Sequence, residues 1–332
     1  MRPYSDELVK SHGEFAAKVW PDKKRRRSEI YNRWKFRGPE KGVVEGLLLA
    51  KLEDKIIGQL GLLPVKLRHG KKNYEAQWAC DLIVDPEYRK LGTGNMLFEA
   101  GMKRDKITLG NNPSPKAEVL MLKAGFNAVN SGRLMVFPID PGQLISWAVP
   151  KKFSFAVPVI GKILKPYFSL KRKKLNVKEN YFNLCSWKDV AGSVKQRQDE
   201  SISLQILHDE EFLKWRASGF LNYSPEIKAM RSSNGSYALY SYFKPYFNIY
   251  EWHCTEDSDL KSMLSVVMKL ASDEKAKTIQ ILSNSEREMQ LLASAGFIRS
   301  RNDEKVIYYS DKIKFSSKDY FYFTLYDTDL NL

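Results

Sequence analysis

Along the first 40 residues, apolar side chains recur at Leu8, Val9, Phe15, Ala16 and Val19 and again at Ile30 and Trp34, near the i, i+3/i+4 spacing of a helix buried on one face. Pro21 and the basic run Lys23-Lys24-Arg25-Arg26-Arg27 interrupt that spacing, so two short helices are predicted. From Val43 the period changes. The runs GLLLAKL, KIIGQLGLLPVKLR and NYEAQWACDLIV are strand-like, and Glu53-Asp54 and His69-Gly70-Lys71-Lys72 divide them as turns, which predicts a three-stranded antiparallel meander.

Residues 92–105 follow with Leu97, Phe98, Gly101 and Met102 on one helical face, so the sheet passes to a helix through the pair Gly92 and Gly94. A short strand over 107–109 leads to Asn111-Asn112-Pro113-Ser114-Pro115. Ser114 suits a helix N-cap and Pro115 the first helical position, and the helix ends at Gly125 before a strand that opens with Phe126. Residues 146–175 mix apolar side chains with Pro150, Pro158 and Pro166 and end in a basic run, which reads as an interdomain connector.

The second half repeats the order of the first. Phe212-Leu213-Lys214-Trp215-Arg216 echoes Tyr31-Asn32-Arg33-Trp34-Lys35 at an offset of 181, and Leu292-Ala293-Ser294-Ala295-Gly296-Phe297 echoes Met121-Leu122-Lys123-Ala124-Gly125-Phe126 at an offset of 171. Strands are predicted over 237–242, 247–254 and 278–282, a helix on the stripe Leu260, Met263, Leu264, Val267, Leu270 and Ala271, and another helix over 285–295. These matches predict a duplicated α/β unit. The boundaries drawn are 1–145 for the first domain, 146–200 for the connector and 201–332 for the second domain.

Composition adds limits. The 332 residues are 43% hydrophobic and 28% charged, an ordinary globular balance that excludes general disorder. The longest nearly uncharged apolar run stops at Gly161-Lys162, far short of a membrane span, and the polar start MRPYSDELVK does not read as a signal peptide, so a cytoplasmic protein is expected. Cys80, Cys185 and Cys254 are too scattered for a disulfide framework, and His12, His69, His208 and His253 show no metal spacing. No metal is expected. The net charge of +15 attracts polyanionic ligands without choosing among them.

The chemistry concentrates at Val84-Asp85-Pro86-Glu87-Tyr88-Arg89-Lys90-Leu91-Gly92-Thr93-Gly94, where a strand meets a helix. A helix N-terminus offers unpaired N–H groups and partial positive charge, glycines let a pyrophosphate approach the main chain, and Arg89 adds charged donors. There is no P-loop, and Leu97 stands where a dinucleotide fingerprint needs its third glycine. VDPEYRKLGTG resembles the acyl-CoA signature of the GNAT (N-acetyltransferase) superfamily, and NNPSPKAEVLMLKAGF is similar to the helix and strand that follow it there. With five fixed positions, a chance match is on the order of 10⁻⁶ per starting point.

The resemblance covers about residues 40–137 well and the second half weakly. It implies a tandem GNAT fold, α/β with mixed, largely antiparallel central sheets flanked by helices, and acetyl-CoA as co-substrate lying in the splay between two strands. Leu82, Ile83 and Val84 would pair with the pantetheine arm, Arg89, Lys90, Leu91, Gly92, Thr93, Gly94 and Asn95 would hold the pyrophosphate, and Asn112 or Ser114 would add a polar contact. Cys254-Thr255-Glu256-Asp257-Ser258-Asp259 replaces the signature in the second half, and its carboxylates would repel a pyrophosphate, so one cofactor site is expected.

Asp81, on the signature strand, is the candidate base, with Glu45 and Glu75 behind it; the other reading of Asp81 is a solvated or salt-bridged strand carboxylate. The place where many family members carry an acid tyrosine holds Met121. The run Lys23 to Arg27 is either a phosphate contact or a solvated helix face, and no specific nucleic-acid partner is expected. Residues 153–175 either pack between the domains or rest peripherally on the anionic inner face of a membrane.

The aromatic run from Tyr320 to Asp329 reads as a strand and, with the Trp34 and Trp215 segments, is similar to tandem GNAT-like proteins of bacterial surface-polysaccharide synthesis. The acceptor expected on that resemblance is an amino sugar, as a small molecule or linked to a nucleotide or lipid. Fem-type aminoacyl transfer to a cell-wall precursor and acyl-CoA binding without catalysis are the alternatives.

Overall fold

A computed structural model describes the chain apart from residues 105, 150, 176–180, 202–203, 218–225, 301–303, 317 and 329–332; Asp329 and part of the expected connector therefore lie outside the described residues. The chain opens with a strand that the helical spacing gives no sign of, β1 (Arg2–Tyr4), which pairs with the edge of the meander. The two expected helices follow as α1 (Val9–Val19) and α2 (Glu29–Lys35), the latter begun by Ser28, whose hydroxyl accepts the Tyr31 N–H at 3.3 Å.

The meander forms as expected from β2 (Val44–Leu52), β3 (Lys55–His69) and β4 (Lys72–Val84), all antiparallel. Then come α3 (Thr93–Met102), β5 (Ile107–Asn111), α4 (Pro115–Lys123), β6 (Asn127–Ser131) and β7 (Arg133–Pro138). Ser114 caps α4 by accepting the Ala117 N–H at 3.3 Å, and Gly125 past its end takes φ +92°.

The stretch read as a connector is largely built structure. It holds α5 (Pro141–Ala148), α6 (Val157–Lys174), β8 (Asn183–Cys185) and α7 (Lys188–Ser201). Phe168 of α6 is buried against Phe137 with ring centroids 5.9 Å apart, and Val190 and Val194 of α7 are fully buried.

The rest comprises β9 (Leu204–Ile206), α8 (Glu210–Ala217), β10 (Lys228–Arg231), β11 (Tyr237–Phe243), β12 (Tyr246–His253), α9 (Asp257–Asp273), β13 (Thr278–Ser283), α10 (Glu286–Ser294), β14 (Ile298–Arg299), β15 (Val306–Tyr309) and β16 (Tyr320–Phe321). The strand expected over 320–329 is reduced to two residues. Beyond it the Phe323 N–H turns to the Asn284 side chain at 2.9 Å, and Thr324 and Asp327 close a capping box around a short 3-10 turn, Leu325–Asp327.

The strands form two mixed sheets with matching order. One runs β2-β3-β4-β5-β15-β6 with β1 and β16 at its ends, and the other runs β10-β11-β12-β13-β7-β14 with β8 at its end. In each, the third and fourth strands are parallel, and the fifth is antiparallel to both its neighbours. That fifth strand is exchanged: β7 of the first half completes the second sheet, and β15 of the second half completes the first. Boundaries at 145 and 201 follow the order along the chain but do not separate the sheets.

A core joins the sheets, drawing Leu63, Val65 and Trp78 from one, Tyr237, Leu239 and Tyr250 from the other, and Phe321 and Phe323 from the C-terminal segment. The outer faces are covered by α3 and α4 on the first sheet, through Leu97, Phe98 and Met121, and by α9 on the second, through Met263, Leu264 and Val267.

Candidate functional site

The parallel pairing of β4 with β5 ends at Ala79 opposite Gly110, while β4 runs on to Val84. Two features part the strands. On β4, Asp81 and Leu82 together face Leu60, a bulge in which Asp81 takes φ +49°. At the end of β5, Asn112 takes φ +41° and turns to the exchanged segment, its N–H donating to the Lys305 carbonyl at 2.9 Å and its side-chain oxygen accepting the Lys305 N–H at 2.8 Å. Between the strands lies a cleft of about 330 Å³, lined among others by Trp78, Leu82, Ile83, Asn111 and Met121. Leu82 and Ile83, both half-buried, line its β4 side, and half-buried Val84 follows them at the strand end.

The signature leads from that strand to α3. Asp85 caps a 3-10 turn, Pro86–Leu91, by accepting the Glu87 N–H at 3.2 Å, and it also pairs with Lys18 at 2.8 Å. Burial pushes its pKa up, but the Lys18 and Glu87 hydrogen bonds outweigh this and hold the carboxyl below its ordinary range. Arg89 donates from Nε to the Val84 carbonyl at 3.1 Å, closing the strand end and leaving its outer guanidinium exposed beside Lys90 and Leu91.

Gly92 stands at the N-cap of α3 with φ +71°, a left-handed conformation that favours glycine, and no side chain caps the helix. Its first-turn amides, in Thr93, Gly94 and Asn95, are those a helix leaves unpaired. A Cβ at Gly94 would meet nothing nearer than 3.8 Å.

Asp81 is the salt-bridged carboxylate of its second reading. Its side chain is 6% exposed, and it is held by Lys35 Nζ at 2.7 Å on one oxygen and by Arg26 on the other. Burial alone would raise its pKa, yet the charges of Lys35 and Arg26 prevail and keep it well below the carboxylate range. A carboxylate so held is a weak proton acceptor. Arg26 also lies over the Trp20 ring, 4.5 Å from its centroid, and Trp20 and Lys23 line the cleft.

The basic run is thus partly drawn inward rather than wholly solvated. Arg26 and Lys35 were not among the expected site residues; the only signal in the sequence was a cationic run near a strand carboxylate. Of the remaining expected residues, Ser114 faces the cleft while capping α4, and the Asn112 amide is engaged by Glu304 and Lys305.

The corresponding place in the second unit is built differently. The start of α9 is closed by its own acid: Asp259 accepts from the Glu256 N–H at 3.1 Å, Thr255 at 2.8 Å, Ser236 at 2.8 Å and Asn234 at 2.9 Å. Beyond the β12–β13 pairing, the Trp252 indole donates to the Leu282 carbonyl at 2.9 Å across the parting strands.

His208, given no role from the sequence, is fully buried between Glu251 at 2.7 Å and Asp327 at 2.9 Å, and Asp327 in turn borders the cleft of the first unit. Burial pushes the imidazole pKa down, but the two carboxylates overcome this and push it up to about 10. Among the described residues no cluster of side chains suits a metal, and no helix is long and apolar enough to cross a membrane.

No protein-family profile and no curated relative matches this sequence. Solved structures do match the fold. A GCN5-related N-acetyltransferase from Anabaena variabilis aligns over 92% of this chain and 71% of its own, with a TM-score of 0.61 at 14% identity. One from Kribbella flavida covers 92% of this chain and 69% of its own, with a TM-score of 0.58 at 12% identity. N-myristoyltransferase from Saccharomyces cerevisiae, solved with bound myristoyl-CoA, covers 85% of this chain and 71% of its own, with a TM-score of 0.54 at 12% identity. The chain therefore has the GNAT fold, spread over two sheets.

Proposed function

We propose that this protein is an acyl-CoA-dependent N-acyltransferase, that acetyl is the group moved, and that the acceptor is an amino sugar of a cell-surface polysaccharide pathway. The observation that carries the reading is the parting of β4 from β5 beside a bulge, on a strand that leads directly into an uncapped helix start bearing RKLGTG. Among the described residues the β4–β5 register ends at Ala79, so residues 81–83 of β4 run on beside the cleft past the last β5 pair, where an extended amide-bearing arm would lie alongside their main chain. The α3 amides of Thr93, Gly94 and Asn95 with Arg89 and Lys90 suit a pyrophosphate, which meets both hydrogen-bond donors and positive charge there.

Acyl-CoA would supply an activated thioester. A main-chain N–H of the bulged strand would face the oxyanion, Asp81 would keep Arg26 and Lys35 in place beside the cleft, and Lys23 with Trp20 would meet an anionic, ring-bearing acceptor. The closed start of α9 leaves the second unit to shape the acceptor side.

Acyl-CoA binding without turnover is the second reading, favoured by the neutralised Asp81 and by Met121 in the tyrosine's place. Calorimetric titration of acetyl-CoA into the wild type and Gly94→Glu tests the site, since that variant puts a carboxylate at the helix start without backbone strain. One-to-one binding lost in the variant supports the reading, and no binding to folded wild type refutes it. Release of the CoA thiol with an amino-sugar panel then separates transfer from binding alone.

A further inference from the structure

The helix α6 carries two apolar faces, and among the described residues only one of them is packed against the rest of the protein. Leu164, Phe168 and the following Leu175 point inward and join the core beneath the second sheet. On another side, Phe155 in the preceding turn, Val159, Ile163, Tyr167 and Leu170 are 76%, 59%, 69%, 53% and 60% exposed. Their spacing of four, four, four and three residues sets them in one stripe about 22 Å long. A helix on the surface of a soluble domain ordinarily turns charged residues outward at these positions.

The charge around the stripe is of one sign. Lys162, Lys165 and Lys173 are exposed beside it, and residues 151–174 contain eight Lys or Arg. From residue 141 to residue 178 there is no Asp or Glu. A second copy of the chain would bring the same cationic flank against itself, in a protein already at +15, which disfavours self-association through this face. An acidic lipid surface complements both features at once, taking the apolar stripe into the acyl boundary and the ammonium groups among the headgroups.

We propose that α6 lies in the interface of an anionic bilayer and holds the protein to it, the stripe buried in the headgroup–acyl boundary. This inference concerns a surface and stands independently of acyl transfer.

Co-sedimentation of the full chain with vesicles tests it, comparing phosphatidylcholine alone with phosphatidylcholine containing about a third phosphatidylglycerol. The variant Ile163→Asp/Leu170→Asp changes two exposed side chains, and Lys162→Glu/Lys165→Glu reverses the flank; thermal unfolding confirms that each is folded. The wild type is expected to pellet with the anionic vesicles and not the neutral ones. Affinity should drop by roughly 10-fold or more in either variant and fall as salt rises. Equal binding by wild type and variants, equal binding to neutral vesicles, or no binding by wild type would overturn the proposal. So would a wild-type dimer that Ile163→Asp/Leu170→Asp dissolves, since a second copy would then cover the stripe.

Discussion

Trp215 donates its indole N–H to the main-chain oxygen of Trp34 at 3.0 Å, and the two rings lie 5.8 Å apart at 42°. These are the matched tryptophans of the two echoing segments, so α2 and α8, equivalent in the repeated order, meet each other. The likeness between the halves is therefore also a contact between them, reinforced by Arg37, which reaches Glu211 and lies over the Trp215 ring.

The contact separates into two parts by substitution. Trp215→Phe keeps the aromatic packing and loses the hydrogen bond, at an expected cost of about 1 kcal/mol. Trp215→Ala loses both and should cost about 3 kcal/mol or more. Urea unfolding midpoints check the ordering, and equal costs for the two variants would mean that the rings contribute nothing beyond the hydrogen bond.

Lys35→Met leaves Asp81 still paired with Arg26 but without its Lys35 hydrogen bond, an expected cost of about 1.5–3 kcal/mol. Asp81→Asn, which tolerates the φ of +49°, removes the one carboxylate that both cations share and leaves Arg26 and Lys35 buried without it, so it should cost more than Lys35→Met, about 3–5 kcal/mol. A double-mutant cycle measures the coupling. Because the folded-state pKa of Asp81 lies below its unfolded value, the stabilisation is present above about pH 4 and is lost as the pH falls further.

His208 gives the opposite slope. Its pKa rises from about 6.5 in the unfolded chain to about 10 in the fold, so its contribution is complete below pH 6.5 and is lost as the pH climbs toward 10. Wild-type unfolding free energy should fall through that window by up to about 1.4 kcal/mol per pH unit from this group. His208→Gln should be less stable at neutral pH and should show a flatter dependence. An unchanged slope in the variant would show that another group titrates there.

The duplicated order and most of the elements were legible in the sequence because they rest on local signals. The meander shows in its runs and turns, α4 in Ser114, Pro115 and Gly125, and α9 in its apolar stripe. The signature was equally local, since Asp85, Gly92 and the helix start act within a few residues of each other. What stayed hidden was short or distant in sequence, such as β1 with three residues and β8 with three.

By itself the sequence determined the order of strands and helices, its repeat across the two halves, and which half has a glycine-bearing helix start and which an acidic one. Only the tertiary structure decided that β7 and β15 change places, that Arg26 and Lys35 converge on Asp81, and that His208 joins Glu251 to Asp327. Periodicity and capping are properties of neighbouring residues and can be read along the chain. A sheet edge accepts any strand of compatible register, and a buried carboxylate takes whichever cations the fold delivers, so partners 46 or 119 residues away leave no mark on the local pattern.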